Sequence, residues 1–384
     1  MTYSEQIENT VSLLRTEVPG SVAEDPGRVP QWRYSYNNVS PDLIPTREYS
    51  DVIPGRGDLR ISLTSACNLK CSYCHNEGQE APWVHQTKIS ALLDNIDKLL
   101  DVASRHGVKS VKFTGGDPGV YPGFFALIDA IAGWRDRYPD IGKWGMCTNG
   151  APFLSAKKFQ ALATSRLDNL SIGIDSVEPG ELSKPSSPVG IPGQTLIDNF
   201  VMPLMQAWAG RAIKFDTVFT GNKLRTLNVI RAARELGLSA SVVEINGVMG
   251  NTHSVRSRFL DLIAETAEEH RLQPRLYAPL NEIYLYDKQG NTPIKFYQDH
   301  CRDFDCGNCR KIHLRVSPTT QGWGAVPCFL RAQSKTIPLI IDGELSAARF
   351  EDAIKYNGRG PKWFKDTDYD AHVHTTESKN RSAI

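Results

Sequence analysis

Cys67, Cys71 and Cys74 lie close together, directly after the apolar run 59–63. Thiolates spaced C-x3-C-x2-C on one short loop can bind three corners of a [4Fe–4S] cluster. No fourth cysteine is close enough in sequence to complete the set, so one iron would stay open to a small molecule. A zinc knuckle is the alternative, although zinc sites favour paired C-x2-C motifs.

A second group of cysteines follows much later, at Cys301, Cys306, Cys309 and Cys328. Three or four soft ligands of this kind could bind zinc or a second [4Fe–4S] cluster, and their spacing leaves both open. The remaining cysteine, Cys147, falls on a predicted buried strand. We interpret it as a small apolar filler and assign it no role.

Strand-like and helix-like patterns alternate from about residue 59 to about residue 273. The predicted strands are Leu59–Leu63, Ser110–Thr114, Lys143–Thr148, Asn169–Ile174, Ala212–Phe219 and Ala240–Ile245. The predicted helices are Ile89–His106, Gly123–Tyr138, Thr195–Ala209, Lys223–Leu236 and Val255–His270. Parallel neighbours need crossover helices, so this alternation predicts an α/β fold with a parallel sheet and helices outside it.

Beyond residue 275 the pattern changes to shorter β-like runs, at Glu282–Tyr286, Ile312–Val316 and Ile337–Ile341. Turns rich in Gly, Asn and Pro separate these runs. We therefore predict four segments: an N-terminal extension (1–56), the repeated βα domain (57–275), a small C-terminal module (276–340) and a C-terminal tail (341–384).

Polar or glycine residues stand where several predicted strands end. Gly115, Gly116 and Asp117 follow the second strand, and Thr148 ends the third. Two glycines let the backbone approach a ligand closely, and carbonyls with a carboxylate can accept hydrogen bonds from an ammonium group. Because carboxyl ends of barrel strands share one face, these residues are candidates for a single site.

Basic residues lie at other strand positions. Arg60, Lys112 and Lys214 could point toward the mouth of the barrel and bind an anionic substrate. Basic side chains near strand ends are more often solvated surface, and that reading stays open. Lys311, next to the later cysteine group, is a fourth candidate of this kind.

The cysteine triplet, in register with the run Gly115-Gly116-Asp117-Pro118, resembles the radical S-adenosylmethionine (SAM) superfamily. Most of that family has Gly-Gly-Glu-Pro, so Asp117 is a conservative departure. The resemblance implies a partial (β/α)6 barrel in which SAM chelates the open iron of the first [4Fe–4S] cluster. It also implies these SAM-binding residues: Tyr73, Gly115, Gly116, Asp117, Thr148, Ser171 and Ile245. No acid or base residue is required for catalysis.

The later cysteines, the basic residues after them and Pro327-Cys328-Phe329 resemble the GTP cyclases of molybdenum-cofactor biosynthesis. The resemblance implies an auxiliary [4Fe–4S] module in which Cys306, Cys309 and Cys328 match the family's three ligands and Cys301 is extra. Where that family places arginines for the triphosphate, this chain has Lys311 and His313. Lysine lacks the planar fork of arginine, so a different substrate is expected.

Together these resemblances predict an enzyme that makes a 5′-deoxyadenosyl radical from SAM. The radical would abstract hydrogen from a small, nucleotide-like metabolite and drive its cyclisation or rearrangement in a biosynthetic pathway. An external one-electron reductant of the flavodoxin or ferredoxin type is implied as a partner. Two alternatives stay open: a radical SAM maturase that modifies a ribosomally made peptide, and a zinc-binding interaction protein on a decayed barrel.

Composition limits the partners. The chain of 384 residues has 44 basic and 43 acidic residues, a formal net charge of +1, so neither a nucleic-acid polymer nor a membrane is expected as a partner. No long apolar segment or signal-peptide pattern is present in the sequence, and a cytoplasmic location is expected.

Overall fold

A computed structural model describes nine parts of the chain: residues 58–74, 89–245, 253–277, 282–286, 294–297, 313–319, 322–326, 337–341 and 344–357. The predicted N-terminal extension, the four cysteines of the later group and Lys311 lie outside the described residues. The ligand roles of those cysteines therefore stay predictions.

One sheet contains most of the strands. In chain order these are β1 (Asp58–Ser62), β2 (Ser110–Thr114), β3 (Lys143–Thr148), β4 (Asn169–Gly173), β5 (Ala212–Phe219), β6 (Ser239–Glu244), β7 (Gln273–Tyr277), β8 (Glu282–Tyr286), β9 (Ile294–Tyr297), β10 (His313–Thr319), β11 (Gly322–Val326) and β12 (Ile337–Pro338). The order across the sheet is β12-β11-β10-β1-β2-β3-β4-β5-β6-β9-β8-β7, and β13 (Ile340–Ile341) pairs separately with β14 (Glu344–Leu345).

Strands β1 to β6 lie side by side in chain order and are parallel throughout. On either side, β10 continues the parallel pairing at β1 and β9 continues it at β6. The outer strands pair antiparallel. This mostly parallel α/β sheet confirms the predicted fold class and is consistent with a partial barrel.

The first five helices connect consecutive parallel strands, whereas the sixth follows β6 and the seventh follows β14. The helices are α1 (Ile89–Arg105), α2 (Phe124–Arg137), α3 (Ala156–Ala163), α4 (Gly193–Ala207, with a π-helical segment at Ile197–Val201), α5 (Lys223–Glu235), α6 (His253–Glu269) and α7 (Ala347–Asn357). Right-handed crossovers between neighbouring strands in sequential order place the helices on one face of the sheet. The opposite face becomes the inner face of the partial barrel.

The core lies between the sheet and these helices. Strand alternation sends Phe113 and Trp144 into it, where their ring centroids are 6.4 Å apart, and both side chains are fully buried. Burial of large aromatic side chains of this kind stabilises the fold by about 2–3 kcal/mol each. Successive residues of a strand point to opposite faces of the sheet. The residues next to these core positions along each strand therefore face the inside of the partial barrel.

The strand and helix predictions agree with the structure to within a few residues across the βα region. The predictions did not include α3, α7, β7, β9, β11 or β14. Helix α7 packs on α1 and lies in the segment that the sequence assigned to a tail. Because its amphipathic pattern is short and follows two brief strands, there was little periodicity from which to predict this helix. Within the described ranges, no helix has both the length and the apolar character needed to cross a bilayer.

Candidate functional site

The cysteine loop begins where β1 ends and is anchored by the long connection between β4 and α4. The backbone N–H of Lys70 donates to Ser187 Oγ at 2.9 Å. The N–H of Ser72 donates to the carbonyl of Ser186 at 3.1 Å. Since both donors lie between cysteines, the connection holds the loop in a defined shape before any ligand binds.

The two glycines after β2 lie directly beneath the start of the cysteine loop. The N–H of Gly116 donates to the carbonyl of Thr64 at 2.6 Å. A Cβ atom on Gly116 would stand 2.1 Å from the carbonyl oxygen of Ala66, and one on Gly115 would stand 2.4 Å from Thr64 O. Gly115 also has φ +140°, which favours glycine. The glycines thus permit a close approach of two backbone segments.

Asp117, which directly follows these two glycines, is buried and accepts several hydrogen bonds. Its carboxylate accepts hydrogen bonds from the N–H of Gly119 at 2.7 Å, the N–H of Asn149 at 2.7 Å and the hydroxyl of Thr148 at 2.8 Å. Burial raises the pKa of Asp117 to about 6, although these three donors act to lower it. Asp117 and Thr148 therefore join the ends of β2 and β3.

Cys67 is surrounded by hydrogen-bond donors. The backbone N–H of Leu69 donates to its sulfur at 3.4 Å and the amide of Asn149 at 3.7 Å. Asn149 also donates to Asn68 Oδ1 at 2.9 Å. Burial raises the pKa of Cys67 to about 11, so a strongly electrophilic partner such as iron is needed to keep it as a thiolate.

The three thiols of the loop are suited to hold an iron–sulfur cluster. Each side chain is half-buried, and none of the three forms a disulfide within the described ranges. A four-iron cluster distributes three cysteine ligands over three different irons. Hydrogen bonds to the sulfur, as at Cys67, are a further feature of iron–sulfur ligands.

Asp175, two residues beyond the end of β4, connects the cysteine loop to the barrel. Its carboxylate accepts hydrogen bonds from Lys184 Nζ at 2.8 Å, the N–H of Val218 at 2.9 Å and the hydroxyl of Thr217 at 3.3 Å. The phenol of Tyr73 also donates to it. Lys184 Nζ lies 5.7 Å from the centroid of the Tyr73 ring, close enough for a cation–π contact.

The inner face of the sheet has a group of charged side chains that we call the inner charge cluster: Arg60, Lys112, Lys214 and Asp216. Arg60 and Lys112 are register partners on β1 and β2. Lys112 Nζ donates to Ser171 Oγ at 2.8 Å, and Lys214 Nζ lies 2.7 Å from Asp216 Oδ1. Within this cluster, three cations therefore accompany one carboxylate.

These charges act on one another. Burial is the largest cause that lowers the pKa of Lys112, and Lys214 and Arg60 lower it further, while Cys147 and Asp216 act to raise it. Burial acts to raise the pKa of Asp216, but Lys214, Lys112 and Arg60 outweigh it and bring that pKa to about 2. The cluster is therefore a site of positive potential that would attract an anion.

The predicted site residues fall into two levels. Tyr73 is part of the cysteine loop, and Gly115, Gly116, Asp117 and Thr148 lie at the strand ends beside it. Their hydrogen bonds to other parts of the protein are those described above. Ser171 lies deeper, bonded to Lys112. Ile245 follows β6, where its N–H donates to Phe219 O at 3.2 Å.

Sequence reasoning missed Asp175, Lys184, Asn149 and Asp216 as site residues. Asp216 is two residues after Lys214 on a strand with strict alternation of burial, so strand periodicity could have placed both on the inner face. Lys184 lies in a connection without periodicity, and no local pattern marks it. Cys147 is half-buried and in register with Ser171, so it borders the inner face.

Comparison with known proteins agrees with this geometry. The model of the radical SAM superfamily matches residues 61–200. A probable GTP 3′,8-cyclase of Methanocella arvoryzae is 35% identical over 120 residues, which are 31% of this chain and 34% of that protein. GTP 3′,8-cyclase 2 of Mycobacterium tuberculosis is 29% identical over 281 residues, 69% of this chain and 74% of that protein. The chain thus spans about a third of the first relative and most of the second.

Solved structures share the fold at low identity. Streptococcus suis SuiB has a TM-score of 0.51 at 16% identity, over 72% of this chain and 61% of that one. A structure of anSMEcpe with bound AdoMet has a TM-score of 0.52 at 13% identity, over 82% of this chain and 86% of that one. Residues 61–200 thus match the radical SAM superfamily, and the sequence resembles the GTP 3′,8-cyclases.

Proposed function

We propose that this enzyme forms a 5′-deoxyadenosyl radical from SAM at a [4Fe–4S] cluster on Cys67, Cys71 and Cys74. The radical then abstracts hydrogen from a small, anionic, nucleotide-like metabolite, which undergoes cyclisation or rearrangement. The observation that carries this proposal is the position of the inner charge cluster, on the inner face of the barrel whose first strand leads into the cysteine loop. The naming of relatives as GTP 3′,8-cyclases supports a nucleotide-like substrate.

Cys67, Cys71 and Cys74 would hold the cluster, which in its reduced form would supply the one-electron chemistry that cleaves SAM to methionine and the radical. The chain's own residues hold and shield the site. The β4–α4 connection fixes the cysteine loop through Ser186 and Ser187. We propose that the backbone at Gly115 and Gly116, with Tyr73, Asp117 and Thr148, forms the wall that SAM contacts.

Ser171 and Ile245 are proposed to contact SAM from β4 and from the end of β6. Ser171 already accepts a hydrogen bond from Lys112, so it would stand between SAM and the substrate anion. Arg60, Lys112, Lys214 and, beyond the described residues, Lys311 are the proposed anion-binding groups. An external one-electron reductant of the flavodoxin or ferredoxin type is proposed as the electron donor.

The test is SAM cleavage by anaerobically reconstituted protein. With a chemical reductant, we expect methionine and 5′-deoxyadenosine, and Cys71→Ala should abolish both products. Cys147→Ala is the matched control, since Cys147 is outside the triplet and should keep its iron. Failure of reduced, iron-replete protein to cleave SAM, or retained cleavage by Cys71→Ala, would refute the proposal.

The second cluster is tested by iron content. About eight irons per chain are expected if Cys306, Cys309 and Cys328 hold a second [4Fe–4S] cluster, and about four if they do not. The Cys301→Ala variant then separates the two remaining options. Unchanged iron content and spectrum would indicate an open auxiliary iron, whereas a changed spectrum would indicate that Cys301 completes the ligand set.

The peptide-maturase alternative is tested with the same assay. A solved structure with this fold is SuiB bound to its precursor peptide, but a shared fold does not determine the substrate. The cationic side chains of Lys112 and Lys214 on the inner face favour a small anion over an uncharged peptide backbone. Stimulation of SAM cleavage by nucleotides would support the proposal, and stimulation by peptides alone would favour the alternative.

A further inference from the structure

Three carboxylates near the site differ in the number of hydrogen bonds that their oxygens accept. Asp117 accepts from two backbone N–H groups and one hydroxyl. Asp175 accepts from Lys184, Thr217, Val218 and Tyr73. In the parts of the chain that the structure describes, Lys214 is the group in contact with Asp216.

Asp216 is also open to the inner face. Its side chain keeps 30% of its surface accessible and that of Lys214 keeps 28%, although Asp216 Oδ1 itself is buried. An ionised carboxylate offers about four acceptor positions, and Lys214 forms an ion pair with Oδ1 of Asp216 without donating a hydrogen bond of ordinary geometry to it. Unused acceptors in a partly enclosed site are costly, so this carboxylate is suited to a donor from a ligand.

The charged neighbours of Asp216 indicate which kind of ligand group would donate a hydrogen bond to it. Lys112 and Lys214 lie on neighbouring parts of the inner face through Ser171, which is the register partner of Lys214 and accepts from Lys112. Asp216 is one inward position further toward the carboxyl end of β5, opposite Gly173. A carboxylate at this end of the cluster attracts a cationic group placed beside it, while the three basic side chains attract an anionic group.

We propose that Asp216 is a specificity-determining residue that binds a protonated amine of the substrate, while Arg60, Lys112 and Lys214 bind its phosphate or carboxylate. The substrate is therefore amphoteric, with one anionic group and one amine. This inference rests on the proposed function, because it takes the inner face as the substrate site. It goes further by excluding a polyphosphate as the preferred ligand.

The test uses matched probes with the full-length, reconstituted, SAM-loaded enzyme. Aminoalkyl phosphates with two to four carbons carry both charges, and the alkyl phosphates of equal length lack the amine. Titration calorimetry should give at least one aminoalkyl phosphate that binds about tenfold more tightly than its alkyl counterpart, as expected of one charge-assisted hydrogen bond. Tripolyphosphate should bind more weakly than that probe.

The Asp216→Asn variant should remove the preference for the amine and increase tripolyphosphate affinity. Asn is close in shape and can still accept from Lys214, so folding should be preserved, which circular dichroism checks. Lys112→Met should weaken both kinds of probe alike. Asp136→Asn is the matched control, because Asp136 forms an exposed ion pair with Arg166 and should keep the preference.

Equal affinity for amine and alkyl probes in the wild type, no binding of any probe, or an unchanged preference in Asp216→Asn would overturn the inference. SAM cleavage is measured on the same preparations. Absence of an amine preference in the wild type with intact SAM cleavage refutes only the role of Asp216, whereas absence of SAM cleavage refutes the proposed function.

Discussion

The phenolic hydroxyl of Tyr73 donates a hydrogen bond to the carboxylate of Asp175, a residue 102 positions later in the chain. Tyr73 precedes the third cysteine, and Asp175 follows β4. Burial, together with the negative charge of Asp175, raises the pKa of Tyr73, so the phenol stays protonated and remains a donor. Lys184 balances the charge of Asp175.

Tyr73→Phe should loosen the cysteine loop. Loss of this hydrogen bond to a buried carboxylate should cost about 1–3 kcal/mol of local stability, since Asp175 keeps its other partners. We expect faster loss of iron to a chelator, measured by absorbance of the reconstituted protein. Tyr121→Phe is the control: its buried hydroxyl has no hydrogen-bond partner within the described structure. Equal rates of iron loss in the two variants would contradict the anchoring role of Tyr73.

Gly116→Ala should displace the cysteine loop. The new Cβ would lie 2.1 Å from a backbone oxygen that cannot move away as a side-chain end could. We expect iron content after reconstitution to fall severalfold while far-ultraviolet circular dichroism keeps the α/β signature. Gly133→Ala is the matched control, because nothing lies within 4 Å of its Cβ position on α2 and alanine should stabilise that helix by about 1 kcal/mol. Normal iron content in Gly116→Ala would contradict the packing described here.

Asp117 should make stability depend on pH between about 4 and 6. Its pKa rises from 3.8 to about 6 on folding, so in this window the folded chain binds more protons than the unfolded chain. Stability from the protonated form is complete below about pH 4 and is lost as the pH rises through 6, by about 3 kcal/mol.

Denaturant unfolding of the wild type and Asp117→Asn at pH 4, 5, 6 and 7 measures this effect. Asparagine does not titrate, so the difference between the two proteins isolates Asp117. It should shift in favour of the variant as the pH rises and level off above about pH 6. A pH-independent difference would show that Asp117 has an ordinary pKa.

Lys112→Met should weaken anion binding at the inner face. Methionine keeps about the length of the lysine side chain but lacks the ammonium group that donates to Ser171. We expect the affinity for inorganic phosphate to fall about tenfold, the loss of one charge-assisted contact, in calorimetric titrations. Lys109→Met is the control, because Lys109 is solvent-exposed beside Asp140. If both variants bind phosphate as the wild type does, the inner charge cluster does not bind anions.

Sequence patterns predicted the strands of the βα region because short, largely buried strands alternate with helical segments, which leaves a local signal. Ser110–Thr114, Lys143–Thr148 and Ala212–Phe219 have the predicted bounds. The later strands were harder to place. Strand β10 pairs with β1 and β9 with β6, so strands from the segment predicted as a separate module extend the same sheet.

For the site, the cysteine triplet and the glycine pair could be predicted from the local sequence alone. Ligands on one short loop and glycines at a strand end can be recognised from their spacing. Tertiary structure decided the rest. In the folded chain, the carboxylate of Asp117 accepts hydrogen bonds from Thr148 and Asn149, and Asp216 lies near the basic residues of the inner face. Strand register and crossover connections set which distant side chains meet, and no local pattern encodes that pairing.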